Sequence, residues 1–157
     1  MKQPTLNDRA VSDLKSHLGF WLRFVSNHVS YAFADKLLAS GVTVAEWVIL
    51  REMFDHASLA PSLLAESTGL SRGAVSKLVD RLFRKELLTR VGRDDDRRFQ
   101  TIALTPAGKS LVPRLAKLAD ENDAEFFAAL TQDERQALSA ILKKLVEANH
   151  LTKLPTE

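Results

Sequence analysis

The 157-residue chain contains no cysteine, which excludes disulfide bridges, thiolate metal sites and thiol-based redox sensing by this polypeptide. No apolar run approaches the roughly 18 residues of a membrane span, and the N-terminus lacks an apolar signal core. The expectation is therefore a soluble, cytoplasmic protein. The four histidines, at positions 17, 28, 56 and 150, show neither i,i+4 pairing nor ligand spacing, so no metal site is expected. There is no glycine-rich phosphate loop and no nucleophile at a recognisable spacing from a base, so an enzyme is not expected. Glycine and proline are also few, six and five, and each one consequently marks a boundary more sharply.

What the chain does have is an ordinary hydrophobic fraction of 45%, enough for a packed core and too much for disorder. Its length suits one domain, 1–157, or one domain with added dimerisation helices. Residues 8–38 read as one long helix, with Val11, Leu14, Leu18, Trp21, Leu22, Val25 and Val29 inside an arc of about 100°. Phe20, Phe24 and Tyr31 lie nearly opposite, so this helix has two faces to bury. Gly41 ends it. Thr43 with Glu46 is a capping box that opens a second helix carrying Trp47, Val48, Leu50, Met53 and Phe54. Pro61 starts a third, over about 61–68, and Ser71 caps a fourth that runs to about Glu86. Two strand-like segments, 88–92 and 99–104, flank a charged loop at 93–98, with Gln100, Ile102 and Leu104 on one face. Thr105-Pro106 opens a fifth helix to about Ala129, and the capping box Thr131 to Glu134 opens a sixth to about Asn149. The last residues are expected to fray. The fold class is thus mainly α with a small β wing.

Within this pattern Ala65, Gly69 and Val75 carry the most information. A small residue lets two helices approach, a glycine supplies a left-handed turn, and a branched apolar residue locks the second helix onto the first. This is a helix-turn-helix with a wing, and the charge distribution agrees. Residues 1–70 hold six Lys/Arg against seven Asp/Glu, and residues 101–157 hold seven against eight. Residues 71–100 hold nine against five, so the whole positive excess falls on the fourth helix and the wing, where phosphate neutralisation would need it.

On a helical wheel Arg72, Gly73, Ser76, Lys77, Asp80, Arg81 and Arg84 occupy one half, and Ala74, Val75, Leu78, Val79 and Leu82 the other. Residues near the start of a recognition helix penetrate the major groove deepest, which makes Ser71, Arg72, Gly73, Ser76 and Lys77 the candidates for base edges. Arg81, Arg84 and Lys85 lie farther along and suit phosphates. An ordinary charged surface helix, with Asp80 paired to Arg84, is the bland alternative. Phe83 interrupts the polar side without an evident role. In the wing, three successive aspartates would repel DNA unless Asp96 orients an arginine through a charge-assisted bond. An arginine at a hairpin tip suits a narrow minor groove.

These residues resemble the MarR family of winged-helix regulators over about residues 11–149. The resemblance is carried by Leu64-Ala65-Glu66, Gly69-Leu70, Val75-Ser76-Lys77-Leu78-Val79-Asp80-Arg81-Leu82, Asp96-Arg97-Arg98 and Leu104-Thr105-Pro106-Ala107-Gly108. It implies a winged helix-turn-helix lobe over 43–104 and dimerisation helices over 8–38 and 105–149. It also implies a homodimer on a pseudo-palindromic operator, with repression relieved by a small aromatic or phenolic effector and no cofactor. By the same resemblance Arg98 is the minor-groove arginine, Asp96 its partner carboxylate and Arg97 a backbone contact. An effector pocket would lie where the dimerisation helices meet the lobe, with His17, Phe20, Trp21, Phe24, His28, Trp47 and Arg51 as candidates. The sequence departs from the family pattern at Ala60-Pro61, where a polar cap is common. It departs again at Glu86, where a glycine precedes the wing strand, and at Asp94-Asp95, which lack the frequent proline. A winged helix used for protein interaction is the competing reading; it would make the recognition face apolar, whereas this one is polar and basic.

Overall fold

The computed structural model describes residues 11–92 and 100–154. Its first α-helix, α1 (Leu18–Leu37), begins later than the apolar periodicity predicts. Asp13 accepts a bond from the Lys15 amide and caps a single 3-10 turn, Leu14–Ser16, after which His17 is extended. An aspartate offering its oxygen to the backbone gives the chain a local alternative to helix, and here that alternative prevails over periodicity. The expected helix over 8–38 is corrected accordingly, its first three residues lying outside those described. A second 3-10 turn, Leu38–Ser40, runs into Gly41 at φ 65°.

The Thr43 capping box forms as expected: its hydroxyl accepts from the Glu46 amide at 3.2 Å and its amide donates to Glu46 Oε2 at 2.9 Å. It opens α2 (Val44–Phe54). Then follow α3 (Pro61–Thr68), α4 (Arg72–Arg84), β1 (Leu88–Val91), β2 (Thr101–Leu104), α5 (Pro106–Phe126) and α6 (Gln132–Ala148). The strands pair antiparallel from Leu88 opposite Leu104 to Val91 opposite Thr101.

One core joins α1 to α5: Leu37, Ile49, Leu50, Met53, Leu64, Val75, Leu82 and Leu115 are fully buried. α5 crosses so close to the entry of β1 that a Cβ on Gly108 would run into the Leu87 carbonyl oxygen. The two-residue alternation expected of β2 does not hold, since Ile102, Ala103 and Leu104 are all buried. Leu59 exchanges both main-chain hydrogen bonds with Ile102, at 2.9 and 2.8 Å, so β2 is bonded on both edges and drawn inward.

Two helices end in Schellman motifs whose left-handed residue is not glycine. After α4, the Leu87 and Glu86 amides donate back to the Leu82 and Phe83 carbonyls, with Glu86 at φ 58°. After α6, Leu151 and His150 repeat this onto Val146 and Glu147, with His150 at φ 51°. The turn at Glu86 therefore survives the loss of glycine at the cost of local strain. Beyond α6 the Leu154 amide donates to the Gly69 carbonyl at 2.8 Å, while 155–157, where fraying is expected, lie outside the described residues.

Candidate nucleic-acid interface

α3 and α4 meet through the turn the sequence motif describes. Ala65 is buried, Gly69 adopts φ 71° and Val75 is fully buried. Ser71 caps α4 by accepting from the Ala74 amide at 3.2 Å. The helix then divides as its wheel predicts, with Val75, Leu78, Val79 and Leu82 buried. Ser71, Arg72, Gly73, Ser76, Lys77, Asp80, Arg81 and Arg84 are all exposed. Nothing lies within 4 Å of a Cβ built on Gly73, which leaves the first turn of α4 open to close approach.

The cations on this face are exposed. Among the described residues no ion pair uses Arg72, Lys77, Arg81 or Arg84. The Asp80–Arg84 side-chain pair of the alternative reading is not among the ion pairs of the described residues; Arg84 Nε instead donates to the Asp80 main-chain carbonyl at 3.3 Å.

Lys85, expected beside Arg81 and Arg84 on phosphate, is engaged within the chain instead. Its Nζ lies 2.7 Å from both Glu46 Oε2 and the Gly41 carbonyl, tying the end of α4 to the start of α2. Burial pushes the Glu46 carboxyl up, but the Lys85 and Thr43 hydrogen bonds and the Lys85 charge outweigh it. The net result holds this carboxyl below the ordinary carboxylate range.

Phe83, without an evident role in the sequence, is the platform for Arg90. The Arg90 guanidinium sits 5.0 Å from the centre of the Phe83 ring, a cation–π arrangement that holds a positive charge at the base of the wing. Together they wall a groove that also takes in Ser62, Ser76, Asp80 and Gln100, between α3, α4 and the strands. An aromatic ring on a polar face followed by an arginine in the next strand was the available clue. Asp96, Arg97 and Arg98 lie outside the described residues.

The candidate effector residues separate into groups. Phe20, Trp21, Phe24 and His28 form an aromatic ladder along α1, with neighbouring ring centres 4.4 to 6.4 Å apart. Trp21 Nε1 donates to the Lys15 carbonyl at 2.8 Å, and His17 is the residue preceding α1. Arg51 pairs with Asp55 at 2.7 Å. Only Trp47 of the set faces a cavity between α1, α2 and α5, of about 280 Å³. It stands there with Phe33 edge-on at 6.2 Å. Ser30, Asn122 and Asp123 supply polar groups to the same cavity, and the buried Asn122 amide donates to the Val29 carbonyl at 3.3 Å.

The chain and its fold are similar to those of known transcriptional regulators. The MarR family model matches residues 40–98, spanning the helix-turn-helix and part of the wing. YhbI of Bacillus subtilis, described as an HTH-type transcriptional regulator, is 30% identical over 72% of this chain and 70% of its own. A cysteine-to-serine variant of Escherichia coli MarR, solved with operator DNA, superposes with a TM-score of 0.77 at 25% identity. That match covers 86% of this chain and 99% of the other. Bordetella bronchiseptica BpsR, whose DNA binding is described as regulated by 6-hydroxynicotinic acid, shares the fold with a TM-score of 0.79 at 24% identity. The match covers 87% of this chain and 98% of that one.

Proposed function

The chain belongs to the MarR family of DNA-binding transcriptional regulators, and from that premise we propose that it is a homodimeric, ligand-responsive repressor. One observation carries the dimer: no residue of the 17-residue α6 is buried in the single chain. Yet Ile141, Leu142, Leu145 and Val146 offer an apolar face on it, as Leu18, Trp21, Leu22 and Val25 do on α1. An isolated helix of this length is marginal in water; a second copy covering both faces would stabilise it. The domain reading follows: a DNA-reading lobe over 43–104, and dimerisation helices in the regions 8–38 and 105–149.

On DNA, the first turn of α4 enters the major groove, with Ser71, Arg72, Gly73, Ser76 and Lys77 at the bases and Arg81 and Arg84 on phosphates. The exposed cations of α4 support this reading. Arg98, oriented by Asp96, enters the minor groove and Arg97 touches the backbone, as the family resemblance implies. The cavity beside Trp47 and Phe33 suits a small aromatic effector. Its polar residues are a hydroxyl, an amide and a carboxylate, so a phenolic or other hydrogen-donating ring fits better than a carboxylate.

The deciding experiment selects bound fragments from genomic DNA, then measures binding to the selected site by gel shift across salt. Contact with about six to ten phosphates predicts a loss of roughly 10³–10⁵ in affinity between 50 and 200 mM salt. Lys77→Ala should relax the preference among sites and Arg98→Ala should weaken binding without altering the dimer. Weak, salt-insensitive binding or a stable monomer at micromolar concentration would refute the proposal.

A further inference from the structure

The segment Leu151–Leu154 belongs to neither the recognition helix nor the wing, yet it lies against the helix-turn-helix. His150, in its left-handed conformation, reverses the chain as α6 ends. The peptide then covers the turn between α3 and α4 with its main chain. The Leu154 amide donates to the Gly69 carbonyl at 2.8 Å. A Cβ on Gly69 would lie 3.4 Å from the Leu154 nitrogen, 3.5 Å from the Thr152 carbonyl oxygen and 3.6 Å from Lys153 Cα. Gly69 thus serves twice: it takes the left-handed turn, which a side chain would strain, and its carbonyl anchors a second chain segment that passes over that turn within van der Waals distance.

This passage brings a cation to the reading head. Thr152 and Lys153 share one groove with Glu66 of α3 and with Ser71 and Arg72, the cap and first residue of α4. Lys153 is exposed. Of the charged residues around this groove, Glu66 and Arg72 cancel, so Lys153 decides the sign that a passing phosphate meets. With the first turn of α4 in the major groove, the DNA backbone runs past that turn.

We propose that Leu151–Leu154 is a third element of the DNA-reading head, bracing the helix-turn-helix turn through Gly69 and offering Lys153 to a backbone phosphate beside Arg72. This rests on the DNA-binding reading and adds to it a contact outside both recognition helix and wing.

Three variants of the full chain test it: Lys153→Ala removes the charge, Leu154→Pro removes the amide donated to Gly69, and deletion of 152–157 removes both. For Lys153→Ala, the slope of log affinity against log salt should fall by about one, equally for a selected site and for unrelated DNA. Dimerisation and thermal unfolding should not change. For Leu154→Pro and the deletion, amide hydrogen exchange in a peptide covering Gly69–Ser71 should quicken, a readout that needs no DNA. An unchanged salt slope in Lys153→Ala overturns the phosphate contact, and unchanged exchange in the deletion overturns the brace. If the wild-type chain itself binds no DNA, the functional reading fails and the phosphate contact with it, while exchange still decides the brace.

Discussion

Leu82 on α4 and Leu145 on α6 are the same residue type on amphipathic helices, yet one is fully buried and the other 43% exposed. The contrast extends to the regions they belong to. The lobe from α2 to β2, closed by α5 and the end of α1, has its own core, to which every helix in it contributes fully buried residues. The first half of α1 and the second half of α6 carry apolar faces that stay exposed among the described residues, as at Leu18, Leu22, Ile141 and Leu145. A helix-turn-helix must hold its reading face rigid, and that takes a complete core within one subunit. The arms need only half a core each, because the proposed partner supplies the other half.

The contrast is tested most severely in the lobe. Leu82→Ala should cost about 2–5 kcal/mol, measured by urea unfolding. Leu145→Ala, measured on the lobe transition, should stay within about 0.5 kcal/mol; equal costs would erase the distinction. Next comes the tie between Lys85 and Glu46. Lys85→Met leaves a buried carboxylate without its cation, which costs about 3–5 kcal/mol in a fully buried pair. The Lys85 side chain is 37% exposed, so a loss nearer about 2 kcal/mol is expected once solvent screening is allowed for.

The same pair predicts a pH dependence. Because the folded state holds the Glu46 carboxyl below its ordinary 4.5, its contribution is complete above that pH and drains away below it. Unfolding of Glu46→Gln, followed from pH 6 to 3, should show a shallower loss than wild type. Leu145→Glu addresses the arms directly. It should raise the dimer dissociation constant at least about tenfold, or about 1.4 kcal/mol, by sedimentation, with the lobe still folded. The smallest effect is a gain: Glu86→Gly relieves the left-handed strain after α4 and should stabilise the lobe by about 0.5–1 kcal/mol, net of the entropy glycine adds to the unfolded chain.

What the sequence made legible was local. Pro61 and Ser71 mark the starts of α3 and α4, and the wheel of α4 sorts its buried from its exposed residues. The strands fall within two residues of their expected limits. What stayed hidden depends on residues far apart in the chain. Glu46 was readable as a capping residue, but its burial against a lysine 39 positions later was not. β2 lost its alternation to Leu59, and the segment Leu151–Leu154 docked on Gly69, again through partners no short window contains. Phe83 and Arg90 are only seven positions apart, but they lie on a helix and a strand whose relative placement neither periodicity describes. Of the candidate site, the α4 face was fully legible as exposed surface. The cavity beside Trp47 was not, because α5 supplies a third of its wall.

Two glycines turn this geometry into a genetic readout. Position 108 is closed by a neighbouring carbonyl, and position 73 opens onto empty space. A library of all twenty residues at 108, screened only for folded protein, should return glycine almost alone. The same library at 73, under the same screen, should return many residues. Screened instead for occupancy of an operator, position 73 should narrow as well. The difference between the two screens at that one codon measures how closely DNA approaches the helix, with no structure of a complex required.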